Sequence, residues 1–387
     1  MRRTSVKTKS LRGFYIDYSF LLVIFFLLGF GLLMVYSASA YEGFNKFNSQ
    51  TFFLKKQAIA MVMGLVAMAV VYFIPYRLWD RLHMLMPIVA GIFLILIKTP
   101  LAKSANGATR WVVIPGVGMQ VQVAEVVKLC MILFYATYIT KMGNTLNTFK
   151  GFLVYITPGA VISLALWILT NNLSSAFIVI SIIMIMYFVA SKDYKYTFAT
   201  LAILGLITAL LVAVISKSDA GGNFRFSRVR AWLDPVSYAS DFGHQPLQSL
   251  YAIGSGGIWG KGLGESMQKL NGLPESQNDM IFSILCEELG LFGAFCLMSL
   301  FAILIWRMVI IANNTKDLYG AMLVVGVMAH VAVQVILNIA VVTNTIPNTG
   351  VSLPFISYGG SSVLFLLIEM GLVLNVASKI DVGDEAQ

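Results

Sequence analysis

Residues 1–35 read "MRRTSVKTKSLRGFYIDYSFLLVIFFLLGFGLLMV": a basic segment, then a run from Tyr18 to Val35 without a single charged side chain. About 20 apolar residues suffice to cross a bilayer as a helix, so this run is long enough to span. The run itself contains no small-residue A-x-A element, and it reads as a retained first helix, not a removed signal peptide.

The rest of the chain repeats the pattern. Of its 387 residues 58% are hydrophobic and 12% charged, with a mean hydropathy of +0.81; an ordinary soluble domain carries about a quarter charged residues. The expected fold is an all-α polytopic membrane protein. Apolar windows centre on about ten segments, 18–39, 57–75, 83–98, 122–140, 151–169, 173–190, 195–216, 280–311, 318–342 and 361–378. They predict a basic N-terminus (1–17), one ten-helix membrane domain (18–378) and a C-terminal tail (379–387), with a large extracytoplasmic loop (217–279) between helices 7 and 8. The links carrying Arg77, Arg81, Lys141, Lys150, Lys192, Lys195, Arg307 and Lys316 fall on the side of the basic terminus, so the positive-inside rule puts both termini in the cytoplasm. The three cysteines lie in apolar runs and suggest neither disulfides nor a zinc cluster.

The opposite face is also basic. It carries Arg110, Lys217, Arg225, Arg228, Arg230, Lys261 and Lys269 among others. Long loops translocate regardless of charge, which is one explanation. The other is an anionic ligand at that surface, such as a pyrophosphate-linked lipid. The glycines of "AIGSGGIWGKGLGES" (252–266) do not make a phosphate-binding P-loop: Gly260-Lys261 is followed by Gly262, and Ser255 stands where the motif needs glycine. They are expected to permit close backbone approach to a ligand or a helix.

Acids interrupt the apolar pattern in "NGLPESQNDMIFSILCEELGLFG" (271–293). Asp279 falls at the boundary of the eighth span, where it reads either as a helix N-cap or as a reactive carboxylate. Glu287 and Glu288 lie inside the span, where an unpartnered charge costs up to ~3 kcal/mol, so both are expected to face protein and tie elements together. In "MQVQVAEVVKLC" (119–130), Gln122, Glu125 and Lys128 recur every third residue and share a face; Glu125 before Lys128 is the favourable order for an ion pair. Arg110 in "NGATRW" has the forked guanidinium that suits a phosphate.

Together with "FFLKKQ" (52–57), "RVRAWLDP" (228–235) and "GVSLPFISYGGSS" (350–362), these segments resemble the shape, elongation, division and sporulation (SEDS) family, the FtsW/RodA-like peptidoglycan glycosyltransferases, with wording closer to the division branch. The resemblance covers nearly the whole chain. It implies ten spanning helices in the bacterial cytoplasmic membrane and polymerisation of lipid II, an undecaprenyl-pyrophosphate-linked disaccharide-pentapeptide, into a nascent glycan. It also implies a class B penicillin-binding protein as transpeptidase partner, with other divisome proteins around it. The family's essential acid falls on Asp279 and its paired Glu and Lys on Glu125 and Lys128. Gln122, Glu125, Lys128, Arg110, Lys261, Arg225, Arg228 and Arg230 are the candidate substrate contacts. No cofactor is certain, a magnesium or manganese ion is conceivable beside Asp279, no protein-held metal site is expected, and no nucleic acid is expected as partner. The chain departs from the family's pattern at Val123-Ala124, at Asn171-Asn172-Leu173-Ser174-Ser175, where many members have an acid, and at Met280. The competing readings are an elongation-type polymerase, a lipid II flippase, and a non-catalytic scaffold for the transpeptidase.

Overall fold

The computed structural model describes residues 17–105, 108–113, 120–217, 224–270 and 272–380. The basic residues 1–16 and most of the tail, 381–387, lie outside them, as do Asn106 and Gly107 of the "NGATRW" motif and residues 218–223 of the long loop. The described helices are α1 (Tyr18–Phe47), α2 (Phe52–Phe73), α3 (Arg77–Arg81), α4 (Leu85–Leu96), α5 (Val123–Met142), α6 (Phe149–Thr170), α7 (Leu173–Ala190), α8 (Lys195–Lys217), α9 (Phe224–Leu233), α10 (His244–Gly256), α11 (Ile281–Asn314), α12 (Leu318–Val342) and α13 (Gly360–Ala377). Each of the ten apolar windows falls on one of them. Eight are long and apolar enough to cross a membrane, and Leu85–Leu96 and Lys195–Leu206 are shorter apolar stretches.

α5, α12 and α13 form the buried centre, whereas α2 and α6 turn one side outward. Exposed Ile59, Val62, Val66 and Val70 on α2 present the apolar surface expected against lipid. Because each helix closes its own backbone hydrogen bonds, such a bundle can sit in hydrocarbon. α1 does not end with the opening apolar run: Ala38-Ser39-Ala40, an A-x-A triplet just beyond it, is inside the helix, with Ala38 and Ser39 buried. At the basic end Asp17 caps α1 by accepting from Phe20 N at 3.0 Å and pairs with Arg307 of α11 at 2.6 Å.

The other end is capped, and there the chain departs from all-helix. Between α4 and α5, β1 (Ala102–Ala105), β2 (Ala108–Val113) and β3 (Gln120–Gln122) form a small antiparallel sheet in that order, pairing Trp111 with Gln122. The long loop contributes α9 and α10, which lie over the 342–348 segment: Trp232 Nε1 donates to Asn344 O at 2.9 Å and Ser249 Oγ to Val342 O at 2.7 Å.

α11 is broken at Gly290, whose φ is +68°. The loop following α10 fills the break. Lys261 N and Gly262 N donate to the carbonyls of Glu287 and Glu288, while Leu291 N and Phe292 N donate to those of Gly257 and Ile258. These groups would otherwise be orphaned inside a buried helix. A Cβ at Gly290 would collide with Gly260 N and Ile258 O, and one at Gly260 with Glu288 O. Gly256 and Gly260 therefore serve approach to a helix, a Cβ at Gly256 meeting Cys286 O.

Candidate active site

Asp279 lies in the turn that precedes α11, not on the helix. The N-cap is Met280, and it makes no side-chain capping bond, so the capping explanation for Asp279 does not hold. The turn is stitched on two sides. Met280 N and Asn278 N both donate to Glu275 O, and Glu275 is itself at φ +55°. Asn338 Nδ2 of α12 donates to Asp279 O at 2.8 Å, and Ser357 Oγ to Asn278 O at 2.6 Å.

Next to this turn is a recess of about 430 Å³ lined by Arg228, Asp241, His244, Gln245, Pro274 and Asn348. Asp279 is not in that lining; Gln245 is, and its Nε2 reaches Asp279 Oδ1 at 3.5 Å. The residue is half-buried by its exposed area while densely surrounded by protein atoms. Burial, with Glu275's charge second, pushes its pKa up from 3.8 to about 7, against the pull of its own and Met280's amides and of Arg228. It is thus poised near neutrality, where a general base is most useful.

Two arginines from distant segments share this site. Burial pushes the pKa of Arg110, on β2, below its ordinary value, and Asp279 pulls it back; Arg228, on α9, is lowered by burial and by Arg110, and likewise held up by Asp279. Arg228 Nη1 donates to Asn348 O at 3.3 Å. Arg110 Nε is buried without a hydrogen-bond partner among the described residues. A carboxylate beside two guanidinium groups is a place where an anion can bind next to a base.

Other expected substrate contacts have different partners. Lys261 pairs at 2.7 Å with Glu287, which is 0% exposed and also accepts from Met267 N and Gln268 N. Glu288, equally buried, is held by Lys269 at 2.7 Å and by Ser37. Both acids tie the loop or α1 to α11, and Lys261, expected as a pyrophosphate contact, is placed as the counter-charge of Glu287 with its side chain 33% exposed, since an unpaired buried carboxylate would be far costlier than the pair.

Glu125 and Lys128 pair at 2.8 Å deep inside the bundle, and Lys128 also reaches Gln334 Oε1 at 3.1 Å. Lys128 is 2% exposed, so the pair expected as a substrate contact lies in the interior, where it ties α5 to α12. Gln122 is at the α5 boundary, its amide donating to Ser361 Oγ at 3.3 Å. Arg230 is half-buried on α9, and Arg225 is on the same helix with its side chain outside the described part. Where an acid is missing, Asn172 caps α7 and Ser174 bonds Thr349 O at 2.9 Å.

Sequence reasoning missed Gln245, Asn338, Gln334 and the His330–Glu369 contact at 2.8 Å. His330, Gln334 and Asn338 recur every fourth residue on apolar α12, a stripe that was legible. Among the described residues no three of His, Cys, Asp and Glu converge as a metal site.

A family profile described as a cell cycle protein family, FtsW, RodA and SpoVE, matches residues 18–381. "Stage V sporulation protein E" of Bacillus subtilis is 37% identical over 365 residues, covering 93% of this chain and 96% of that protein. A protein of Trichlorobacter lovleyi named "Probable peptidoglycan glycosyltransferase FtsW" is 34% identical over 366 residues, covering 94% and 93%. Among solved structures, a chain of a peptidoglycan synthase complex superposes with a TM-score of 0.78 at 23% identity, covering 95% of this chain and 99% of that one. The rod shape determining protein RodA of Thermus thermophilus gives 0.64 at 22% identity, covering 94% and 97%. The two structures share the fold.

Proposed function

The chain belongs to the cell cycle protein family of FtsW, RodA and SpoVE, the SEDS family, and we propose that Asp279 is the general base of its reaction. The protein is a multi-pass membrane peptidoglycan glycosyltransferase. Its substrate in this reading is lipid II and its product the nascent glycan. The basic end of the bundle faces the cytoplasm, by the positive-inside rule, and the capped end faces outward, where the substrate is presented. A class B transpeptidase fits as partner and other divisome proteins as neighbours, with septal synthesis favoured by the sporulation and FtsW-type relatives.

Asp279 takes the proton of the acceptor sugar's 4-hydroxyl as that oxygen attacks the anomeric carbon of the growing chain, and undecaprenyl diphosphate leaves. Negative charge grows on the departing diphosphate, so Arg110 and Arg228 stabilise the transition state more than the ground state. A magnesium or manganese ion would enter on the diphosphate, as part of the substrate, because the described residues offer no cluster to hold it independently.

The observation that carries this reading is a carboxylate with a pKa of about 7 placed beside two arginines and a recess. It is tested by polymerisation of lipid II by the full chain purified with its transpeptidase, with a fluorescent-lipid flipping assay in parallel. Polymer from the parent and none from Asp279→Asn is expected. Flipping without polymer would support a transporter, and an Asp279→Asn enzyme above about a tenth of the parent rate would remove Asp279 from the role.

A further inference from the structure

α12 carries His330, Gln334 and Asn338 along one face, each completely or nearly completely buried. Chemistry fixes how their ends point. Asn338 Nδ2 touches two carbonyl oxygens, Asp279 O at 2.8 Å and Val351 O at 2.7 Å, so the amide nitrogen must occupy that position; Oδ1 then has no partner among the described residues. Gln334 Nε2 likewise faces Ser352 O at 3.0 Å and Ser352 Oγ at 3.2 Å, while its Oε1 accepts from Lys128 Nζ at 3.1 Å. The same Oε1 lies 2.8 Å from His330 Nε2, which must therefore carry a proton, and Nδ1 lies 2.8 Å from Glu369 Oε2.

Two adjacent residues of one segment, Val351 and Ser352, are thus held by two amides one helical turn apart, and the upper amide also holds the backbone of Asp279. The segment closes back on the same turn: Ser357 Oγ donates to Asn278 O and Tyr358 N to Gln277 O at 2.8 Å. Gly350, at φ +67°, borders Asp279 Oδ2 so closely that a Cβ there would sit 3.6 Å from it.

We propose that Asn338 and Gln334 are positioning residues for Asp279, with Lys128 and His330 orienting the Gln334 amide. The proposal rests on Asp279 being the base. It gives the buried Glu125–Lys128 pair a task at the reaction centre without contact with substrate: Lys128 fixes Gln334, Gln334 fixes Ser352, and the 351–358 segment with Asn338 fixes the turn of Asp279. Reacting groups must be held to within fractions of an ångström, and a misplacement of about 1 Å costs on the order of a hundredfold in rate.

The test uses the full chain with its transpeptidase and lipid II as substrate. In Asn338→Leu and Gln334→Met, kcat falls about 10- to 100-fold with KM within twofold of the parent. The acid limb of the pH–rate profile moves downward in pH, because a carboxylate no longer held in its dry position regains water. Tyr135→Phe, which removes a buried hydroxyl that bonds Tyr155 O and Gly159 N within the bundle, lowers thermal stability but leaves the acid limb unmoved. If Asn338→Leu does not give folded protein, Gln334→Met is read by the same criteria. Parent-like kcat and acid limb in the folded variants overturn the positioning role, and with Asp279→Asn inactive they leave the base reading standing. An active Asp279→Asn enzyme overturns both.

Discussion

Asp279→Asn is expected to abolish polymerisation and, above neutral pH, to make the protein more stable. The sign follows from the direction of the shift. The folded protein holds the Asp279 proton up to about pH 7, whereas the ordinary value is 3.8, so between these limits the native state binds more protons than the unfolded one. Stability must then fall as pH rises through that window, and the cost of ionising Asp279 is fully present only above pH 7. About three units at ~1.4 kcal/mol each set a ceiling near 4 kcal/mol; partial solvent access reduces this to roughly 2 kcal/mol. Asparagine has nothing to ionise and escapes the cost. Thermal unfolding of parent and variant in detergent at pH 4.5 and pH 8 reads the difference, which should be small at the lower pH and favour the variant at the higher. The parent's rate should rise about tenfold per pH unit below neutrality and level off above it, as the base deprotonates. A variant less stable than the parent at pH 8, or an acid limb with its midpoint below about pH 5, would refute the claim of a raised, catalytically poised carboxylate.

Three further outcomes can be measured. Lys128→Met should destabilise by about 3–5 kcal/mol by stranding Glu125, and Glu125→Gln combined with it should recover part of the loss; additive losses in chemical denaturation would rule out the pair. Arg110→Lys and Arg228→Lys keep charge but lose the fork, and should lower polymerisation at limiting lipid II several-fold where Arg230→Lys does not; equal rates for all three would dismiss diphosphate recognition by Arg110 and Arg228. Gly290→Ala forces a side chain into a φ of +68° and against Gly260 N and Ile258 O, so the variant should lose at least ~2 kcal/mol and release Lys261 from Glu287; a parent-like melting temperature would show that the break in α11 closes without harm.

The helices were legible because burial in lipid leaves a long, simple signature. Each apolar window found a helix, and the basic links at one end share contacts such as Asp17 with Arg307 and Thr137 with Asp80 at 2.8 Å. The small sheet was not legible: strands of 3 to 6 residues between α4 and α5 offer too few alternations to register as a period. The break at Gly290 was hidden for another reason. A glycine in an apolar helix pattern is tolerated often, and only the donors and acceptors arriving from residues 257–262 turn it into a break.

At the site, the basic residues of the capped end could not be sorted by sequence, because sorting them requires knowing which carboxylates are buried. Glu287 and Glu288 are completely buried, so each must have a cation close by, and Lys261 and Lys269 are drawn to them from the loop. Glu125 claims Lys128 in the same way. These three lysines neutralise acids that are fixed in the fold. Arg110 and Arg228 differ in that the carboxylate nearest them in effect, Asp279, is itself held near its titration point, its pKa pushed up by burial to about 7. Two guanidinium groups beside a carboxylate of raised pKa supply positive charge next to a recess whose lining also carries Asp241. A diphosphate bound by the two guanidinium groups would in turn make Asp279 a stronger base by adding negative charge beside it. The division between lysines that close the fold and arginines around Asp279 is therefore set by where the acids lie: Glu125, Glu287 and Glu288 are buried with a lysine each, and Asp279 is held near its titration point beside Arg110 and Arg228.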